Sequence, residues 1–469
     1  MPLGTISITT ARDDYGNGIF SNSHNLPFPK SKIIMSILLK NISQIVNVTR
    51  NSKQTFMVDG YDLFCVTSDP DSKSKYAILL DSDGNILSYG SEDLVICPNY
   101  EYDTVIDCNG GTILPGFTDA HTYPVWGGDR VDDFFQKVAG ASYMELPDSV
   151  NTSDSDYTVE RTALASEEAL YNATLERIRS MASKGTTTLE CKTDYCSNWA
   201  TEKKILRILT RLKREIPLDV SITYFAASIL PKNSMPEALA EDVVNTRLPE
   251  LQELIEKGEI MVDNIDVRCA EGFFSIDQSR QILTKAQSFG LKLNFHAETI
   301  SVGSSAELAA SLNARAVSHL DEVSPAGVAA LTGSRTAAVL LPTTTLLLRH
   351  LPPPAIAIAQ AGVPIALGTD FRANLFCTSM PIVMYLACTT LGLTLEQAFI
   401  AATINAAYSI NLSHRVGAIT EGRQGDFVVI NTTRWENIIF RLGESQDLIE
   451  YVIKKGRIIY SKETGRVTF

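Results

Sequence analysis

No stretch of this chain reaches the roughly 18 consecutive apolar residues that a membrane-spanning helix needs, although 45% of its 469 residues are hydrophobic. The apolar residues fall in short runs separated by polar ones, the pattern of a globular chain with one large domain and a smaller one. A basic face is lacking as well: 41 Lys and Arg stand against 54 Asp and Glu, for a net charge of -13 and a pI near 5.1. That balance argues against nucleic acid or an anionic membrane as partner and leaves a small molecule as the expected ligand. The beginning has Asp13 and Asp14 among scattered polar residues and neither the basic nor the apolar region of a signal peptide, so the expected location is the cytoplasm.

Close cysteine pairs are also missing. Of Cys65, Cys97, Cys108, Cys191, Cys196, Cys269, Cys377 and Cys388, only Cys191 and Cys196 are near each other, at a spacing that is no recognised zinc knuckle. Several of them lie inside apolar, strand-like runs, where a reduced thiol behaves as a small hydrophobe.

What is present falls into four stretches. Residues 1–32 are polar and aperiodic, a loose extension. Residues 33–111 carry short β-type runs (Ser36 to Leu39, Tyr76 to Leu80, Thr104 to Asp107) with a turn signal at Ser82-Asp83-Gly84-Asn85, and predict the first part of a small β-sandwich. Residues 112–410 alternate short apolar runs with helical text. Eight strands are predicted, at Ile113 to Asp119, Thr186 to Cys191, Val220 to Phe225, Ile265 to Cys269, Leu291 to Phe295, Ala314 to Ser318, Ala337 to Leu341 and Pro364 to Gly368. Amphipathic helices are predicted between them, as at Thr201 to Glu215, Met235 to Lys257 and Ser279 to Ser288. Eight such units in about 300 residues fit a (β/α)8 barrel, whose chemistry sits at the C-terminal ends of its strands. Residues 411–469 return to strand-and-turn text, so the expected architecture is α/β, a TIM barrel set between two parts of a β-sandwich built from both chain ends.

Histidine is scarce enough for position to carry information. Of six, His121 follows the first predicted strand, His296 ends the fifth and His319 ends the sixth, while Asp370 ends the eighth. His24, His350 and His414 lie in loop-like text. A single histidine of this kind is more often a hydrogen-bonded core residue than a ligand. Four such groups at equivalent strand ends are accounted for together by one metal site, and the expected cofactor is one divalent ion, zinc or iron.

At these positions the chain resembles a known family. Leu114-Pro115-Gly116-Phe117-Thr118-Asp119-Ala120-His121-Thr122 is similar to the start motif of the metal-dependent amidohydrolases. Gly128-Asp129-Arg130 followed by Ala139-Gly140-Ala141-Ser142-Tyr143 narrows the resemblance to the imidazolonepropionases. It continues through Asn294 to Glu298, Ala314 to Leu320, Val339 to Thr344, Ala366 to Phe371, Ala402 to Tyr408 and Gly425-Asp426. The resemblance implies hydrolysis of 4-imidazolone-5-propionate to N-formimino-L-glutamate, a step of histidine degradation, by a homodimer. It implies His121, His296 and Asp370 as metal ligands, with Asp370 and His319 as catalytic groups; Glu298, next to the position of the family's proton-handling glutamate and able to turn inward where the chain leaves the strand, is a further catalytic candidate. Arg130, Tyr143, Ser228 and Arg372 are its substrate-side positions.

Several of these positions depart from the family pattern. Tyr123 stands where the second histidine of a His-x-His pair is expected, Thr299 in place of a glutamate, Ser228 in place of a histidine and Arg372 in place of an asparagine. Asp148 to Thr152 replace a glycine-rich turn. Residues two apart on a strand end share a face, so Tyr123 reaches the side that His121 reaches. Three readings therefore stand together: a working hydrolase of this type, a hydrolase of the same fold acting on another cyclic amide or amidine, and a catalytically silent paralogue kept for binding or assembly.

Overall fold

A computed structural model of the chain describes residues 36–58, 64–67, 75–98, 100–132, 155–230, 234–270, 273–298, 303–349 and 351–469. Eight parallel strands form the barrel: β1 (Phe117–Asp119), β2 (Thr186–Lys192), β3 (Asp219–Phe225), β4 (Asn264–Asp266, resuming at Arg268–Cys269), β5 (Lys292–Ala297), β6 (Ala316–His319), β7 (Ala337–Leu340) and β8 (Ile365–Leu367). They lie side by side in sequence order. Buried on both faces, they read as apolar and β-branched runs, which is why their positions are visible in the sequence. The predicted helices are there too, at Trp199–Glu215 and Ile276–Ser288, and a run from Pro236 to Glu256 that passes through a π-turn at Val243–Arg247.

Backbone hydrogen bonds join the first strand to the last. Ala120 N donates to Leu367 O (3.3 Å), Asp370 N to His121 O (3.0 Å) and Tyr123 N to Phe371 O (2.8 Å). Asp119 adds a buried latch, its carboxylate accepting from Thr369 Oγ1 at 2.6 Å and Thr369 N at 2.9 Å. Burial pushes the Asp119 carboxyl up to about 7.

Both chain ends build two further sheets. One orders the strands Ile86–Ser91, Tyr76–Leu80, Ile37–Ile42 and Thr104–Asp107; the other runs from the tail strands through Phe427–Ile430 to Thr112–Pro115, Gln44–Asn47 and Phe64–Thr67. Leu39, Ile45, Ile78, Ile113, Phe427 and Ile453 pack in one cluster between them. The run predicted as one strand from Ile113 to Asp119 is therefore two elements: Thr112–Pro115 pairs with Phe427–Ile430, and the barrel begins at Phe117. Gly116 is the join, where a Cβ would collide with Thr187. No helix among the described residues is long and apolar enough to cross a membrane.

A buried lysine ties the tail to the barrel. Lys454 Nζ reaches Asp219 Oδ2 at 2.5 Å, at the start of β3, and Asp426 Oδ2 at 2.6 Å. Removing one partner of a buried ion pair typically costs about 3–5 kcal/mol, because the remaining charge has lost its compensation. Lys454→Met is expected to lower unfolding free energy in urea by that amount. An unchanged urea midpoint would show that Asp219 and Asp426 do not need the ammonium.

Candidate metal centre and active site

The strand ends at the barrel mouth carry unusual backbone. Ala227 (φ 49°), Glu298 (φ 43°), His319 (φ 79°) and Asp370 (φ 51°) all lie in the left-handed region, at or within three residues of the ends of β3, β5, β6 and β8. Such conformations cost about 1–3 kcal/mol each for a residue with a side chain, and they persist where the surroundings fix them. Here they turn the chain sharply as it leaves the barrel.

Three imidazoles meet in this mouth. His121, His296 and His319 are all buried, and each offers a ring nitrogen within 4.8 Å of the others. Phe225 stacks on the His296 ring, 4.8 Å away with planes 6° apart. Between His121 and His296 sits the Tyr123 hydroxyl, 3.0 Å from His121 Nε2 and 2.7 Å from His296 Nε2. The outer ring nitrogens are held as well: His121 Nδ1 lies 3.0 Å from Ser318 Oγ, and His296 Nδ1 lies 2.9 Å from Asp266 Oδ1.

These contacts set hydrogen positions. Asp266 accepts a hydrogen bond from the Nδ1–H of His296, leaving Nε2 as an acceptor for the Tyr123 O–H. That hydroxyl has a single proton to give, so His121 Nε2 donates to it and His121 Nδ1 accepts from Ser318. Burial keeps both rings neutral. It pushes the His296 imidazole down to about 4 against the pull of Asp266, and pushes that of His121 well below its usual range, aided by Lys192.

Behind His296 lies a buried charge cluster. Lys192 Nζ reaches Asp266 Oδ2 at 2.8 Å and Glu190 Oε2 at 3.2 Å, with all three side chains fully enclosed. Glu190 Oε1 also accepts from Thr223 Oγ1 (2.5 Å) and Asn294 Nδ2 (2.7 Å). Burial raises the Glu190 carboxyl to about 7. For Asp266 burial is the largest influence, but His296 and Lys192 together outweigh it and hold the carboxyl below its usual range. Glu190 and Lys192 share a face of β2, since residues two apart on a strand point the same way. Neither is among the predicted site residues, and the predicted strand stops one residue short of Lys192. The available signal is two charges inside a run otherwise suited to a buried strand.

The other predicted positions divide. Asp370 is buried, with Oδ1 3.7 Å from His121 Nε2. Its Oδ2 accepts from Thr344 Oγ1 and lies 3.4 Å from Arg372 Nε, so Arg372 pairs with the carboxylate. His319 Nδ1 is buried without a hydrogen-bond partner, 3.7 Å from Asp321 Oδ2. Glu298 is buried too. Its Oε1 accepts from Ala306 N (3.2 Å), Oε2 has no partner, and burial raises its carboxyl. Ser228 is buried and hydrogen-bonds Asp194, which also feels Arg268 and Arg372. Arg130 is buried, donating to Thr158 Oγ1 at 2.9 Å. Tyr143, Thr299, His24, His350 and the segment 148–152 lie outside the described residues.

The donor chemistry fits a metal ion. Imidazole nitrogens and a carboxylate are the ligands zinc and iron take, and the His296–Asp266 bond is the outer contact that fixes a ligating ring. One ring nitrogen of each of the three histidines falls within 4.8 Å of the others, and His319 Nδ1 is buried without a hydrogen-bond partner.

Comparison with known proteins gives the family. Residues 112–459 match the model of the Amidohydrolase family. The chain is 43% identical over 429 residues to a probable imidazolonepropionase of Xenopus tropicalis, covering 91% of this chain and 98% of that one. It is 42% identical over 427 residues to the Homo sapiens protein of the same description, again covering 91% and 98%. Among solved structures, an adenosine deaminase from Xanthomonas campestris with bound zinc superposes with a TM-score of 0.67 over 93% of this chain and 95% of that one, at 15% identity. At that identity the likeness is one of fold.

Outer contacts of this kind typically govern metal affinity by about 10- to 100-fold. Asp266→Asn is expected to weaken zinc binding by that factor in competition with a chelating dye, while the protein stays folded by circular dichroism. Unchanged affinity would mean that Asp266 does not orient His296.

Proposed function

The chain belongs to the amidohydrolase family and, within it, to the imidazolonepropionases, and from that premise we propose that it hydrolyses 4-imidazolone-5-propionate to N-formimino-L-glutamate with the help of one bound metal ion. The observation that carries this reading is the convergence of three buried imidazoles and Asp370 on one side of the barrel mouth. In it His121, His296 and Asp370 hold the ion, expected as divalent zinc or iron. When bound, such an ion polarises a carbonyl and lowers the pKa of a water to near neutrality.

The chain's own groups supply the rest. Water adds at the ring carbonyl carbon, the amide C–N bond breaks, and the departing nitrogen takes up the proton that the water gives off. His319 is the carrier in this reading, because its buried Nδ1 has no hydrogen bond to surrender first. Glu298, whose carboxyl burial pushes up, is the second candidate. Arg130 and Tyr143 hold the propionate, Arg through paired donors and Tyr through its hydroxyl. Ser228 and Arg372 border the same space, and the assembly is a homodimer.

A second reading, a silent paralogue, is favoured by the Arg372–Asp370 pair, since a guanidinium beside a ligand carboxylate opposes an incoming cation. The two readings separate on metal content. His121→Ala and His296→Ala are each expected to lose both the ion by elemental analysis and imidazolone turnover by absorbance. His319→Asn is expected to keep the ion while kcat falls about 10²- to 10⁴-fold. Full metal occupancy in both alanine variants would overturn the site.

Arg372→Asn separates a bystander from a cation surrogate. With the guanidinium gone, zinc binding is expected to tighten and the thermal midpoint of the metal-free protein to fall by about 1 °C, the equivalent of roughly 1 kcal/mol in a chain of this length. A variant matching the parent in calorimetric titration and in melting would show that the pair has no influence on either.

A further inference from the structure

Tyr123 stands between two of the imidazoles at this mouth. Its ring is buried, its backbone N–H is tied to Phe371 O at 2.8 Å, and its hydroxyl touches both His121 Nε2 (3.0 Å) and His296 Nε2 (2.7 Å). Asp370 Oδ1 stands 3.7 Å from the same His121 nitrogen. Two ligands each about 2.0–2.2 Å from one ion, at tetrahedral or octahedral angles, lie roughly 2.8–3.6 Å apart. The Tyr123 oxygen, at 3.0 and 2.7 Å from the two imidazole nitrogens, stands at the short end of that range, and the Asp370 carboxylate, at 3.7 Å, just beyond its long end, so the Tyr123 oxygen lies beside both imidazoles where a further ligand would stand.

We propose that Tyr123 is itself a ligand, binding as phenolate together with His121, His296 and Asp370, and that this donor set suits iron rather than zinc. The inference rests on the metal reading above and specifies its ligands. Two anionic oxygens with two imidazoles form a harder set than imidazoles with one carboxylate, and hard oxygen donors favour the harder ion. In the metal-free protein the phenol is neutral, and burial, with Asp370 and Asp266 nearby, pushes its pKa well up. A bound cation inverts that balance, as it does for a coordinating thiol.

The proton bookkeeping closes. Ser318 Oγ both donates and accepts, so His121 moves its ring proton from Nε2 to Nδ1 with no net change and turns a lone pair inward. His296 already presents Nε2 as a lone pair. The Tyr123 O–H proton alone leaves, one to solvent per ion bound, and no oxidant is consumed when the iron is supplied in the ferric state.

Ferric iron is the probe, because a phenolate on it absorbs visible light by ligand-to-metal charge transfer, whereas zinc, with a filled d shell, does not. Full-length protein stripped of metal and titrated with ferric nitrilotriacetate is expected to take up one iron per chain and to colour. Resonance Raman excited in that band should show tyrosinate ring modes in the unaltered protein, a result that depends on no variant. Tyr123→Phe is expected to lose the band while binding some iron through the remaining ligands. One iron per chain with no visible band, or a band that survives Tyr123→Phe, overturns the ligand assignment and leaves the metal site standing. Failure of the unaltered protein to bind either iron or zinc, by elemental analysis after dialysis, overturns both.

Discussion

The carboxylate of Asp266 is the point through which the barrel mouth is organised. It receives Lys192 Nζ from β2 and both the backbone N–H and the Nδ1 of His296 from β5, and thereby fixes three strands' worth of side chains at once. Burying Lys192, Glu190 and Asp266 together is costly, since the interior repays the lost hydration of charges only when geometry and hydrogen bonding are good. Here they are: Glu190 accepts from Thr223 and Asn294, and Asp266 accepts from three donors. Such a cluster contributes little net stability over an apolar one. What it does is settle which nitrogen of His296 faces the site, and the hydrogen-bond directions of the Tyr123 hydroxyl and the His121 ring follow from that choice.

The second constraint is closure. His121 and Asp370 are 249 residues apart in sequence and come within 3.7 Å because β1 and β8 are zipped by the hydrogen bonds of Ala120, His121 and Tyr123 to the chain around Leu367, Asp370 and Phe371. The left-handed residues at the strand ends are the local consequence: the strands stop at the rim and the backbone turns away, leaving side chains such as His319 and Asp370 directed at the common space. Function at such a rim is expected of the architecture, because the loops that follow the strand ends gather side chains from several strands around one space.

Much of this was legible in the sequence, for physical reasons. Eight double-buried strands leave eight apolar runs, and three of six histidines at the ends of such runs stand out. The misses are equally physical. Lys192 and Glu190 look, by residue type, like groups that turn outward, and only the partners brought in from β3, β4 and β5 let them stay inside. The split at Gly116 is invisible to periodicity, because Thr112–Pro115 and Phe117–Asp119 are both apolar strands and differ only in which sheet they join. Tyr123 can be placed on the face of His121 from its spacing, but not between two imidazoles, since that depends on His296 arriving from the far side of the barrel.

The substitutions around the site also bear on whether it has decayed. A site relieved of its chemistry gathers buried polar groups without partners, each costing about 1–3 kcal/mol, until apolar residues replace them. The substituted positions described here do not show that pattern. Tyr123 bonds two imidazoles, Ser228 bonds Asp194, and Arg372 pairs with Asp370. Buried atoms without a hydrogen-bond partner nevertheless remain, among them His319 Nδ1 and Glu298 Oε2, on the groups proposed to carry protons. Substituted side chains that have each found a partner run against the pattern of decay, and they favour the proposed hydrolase over a silent paralogue.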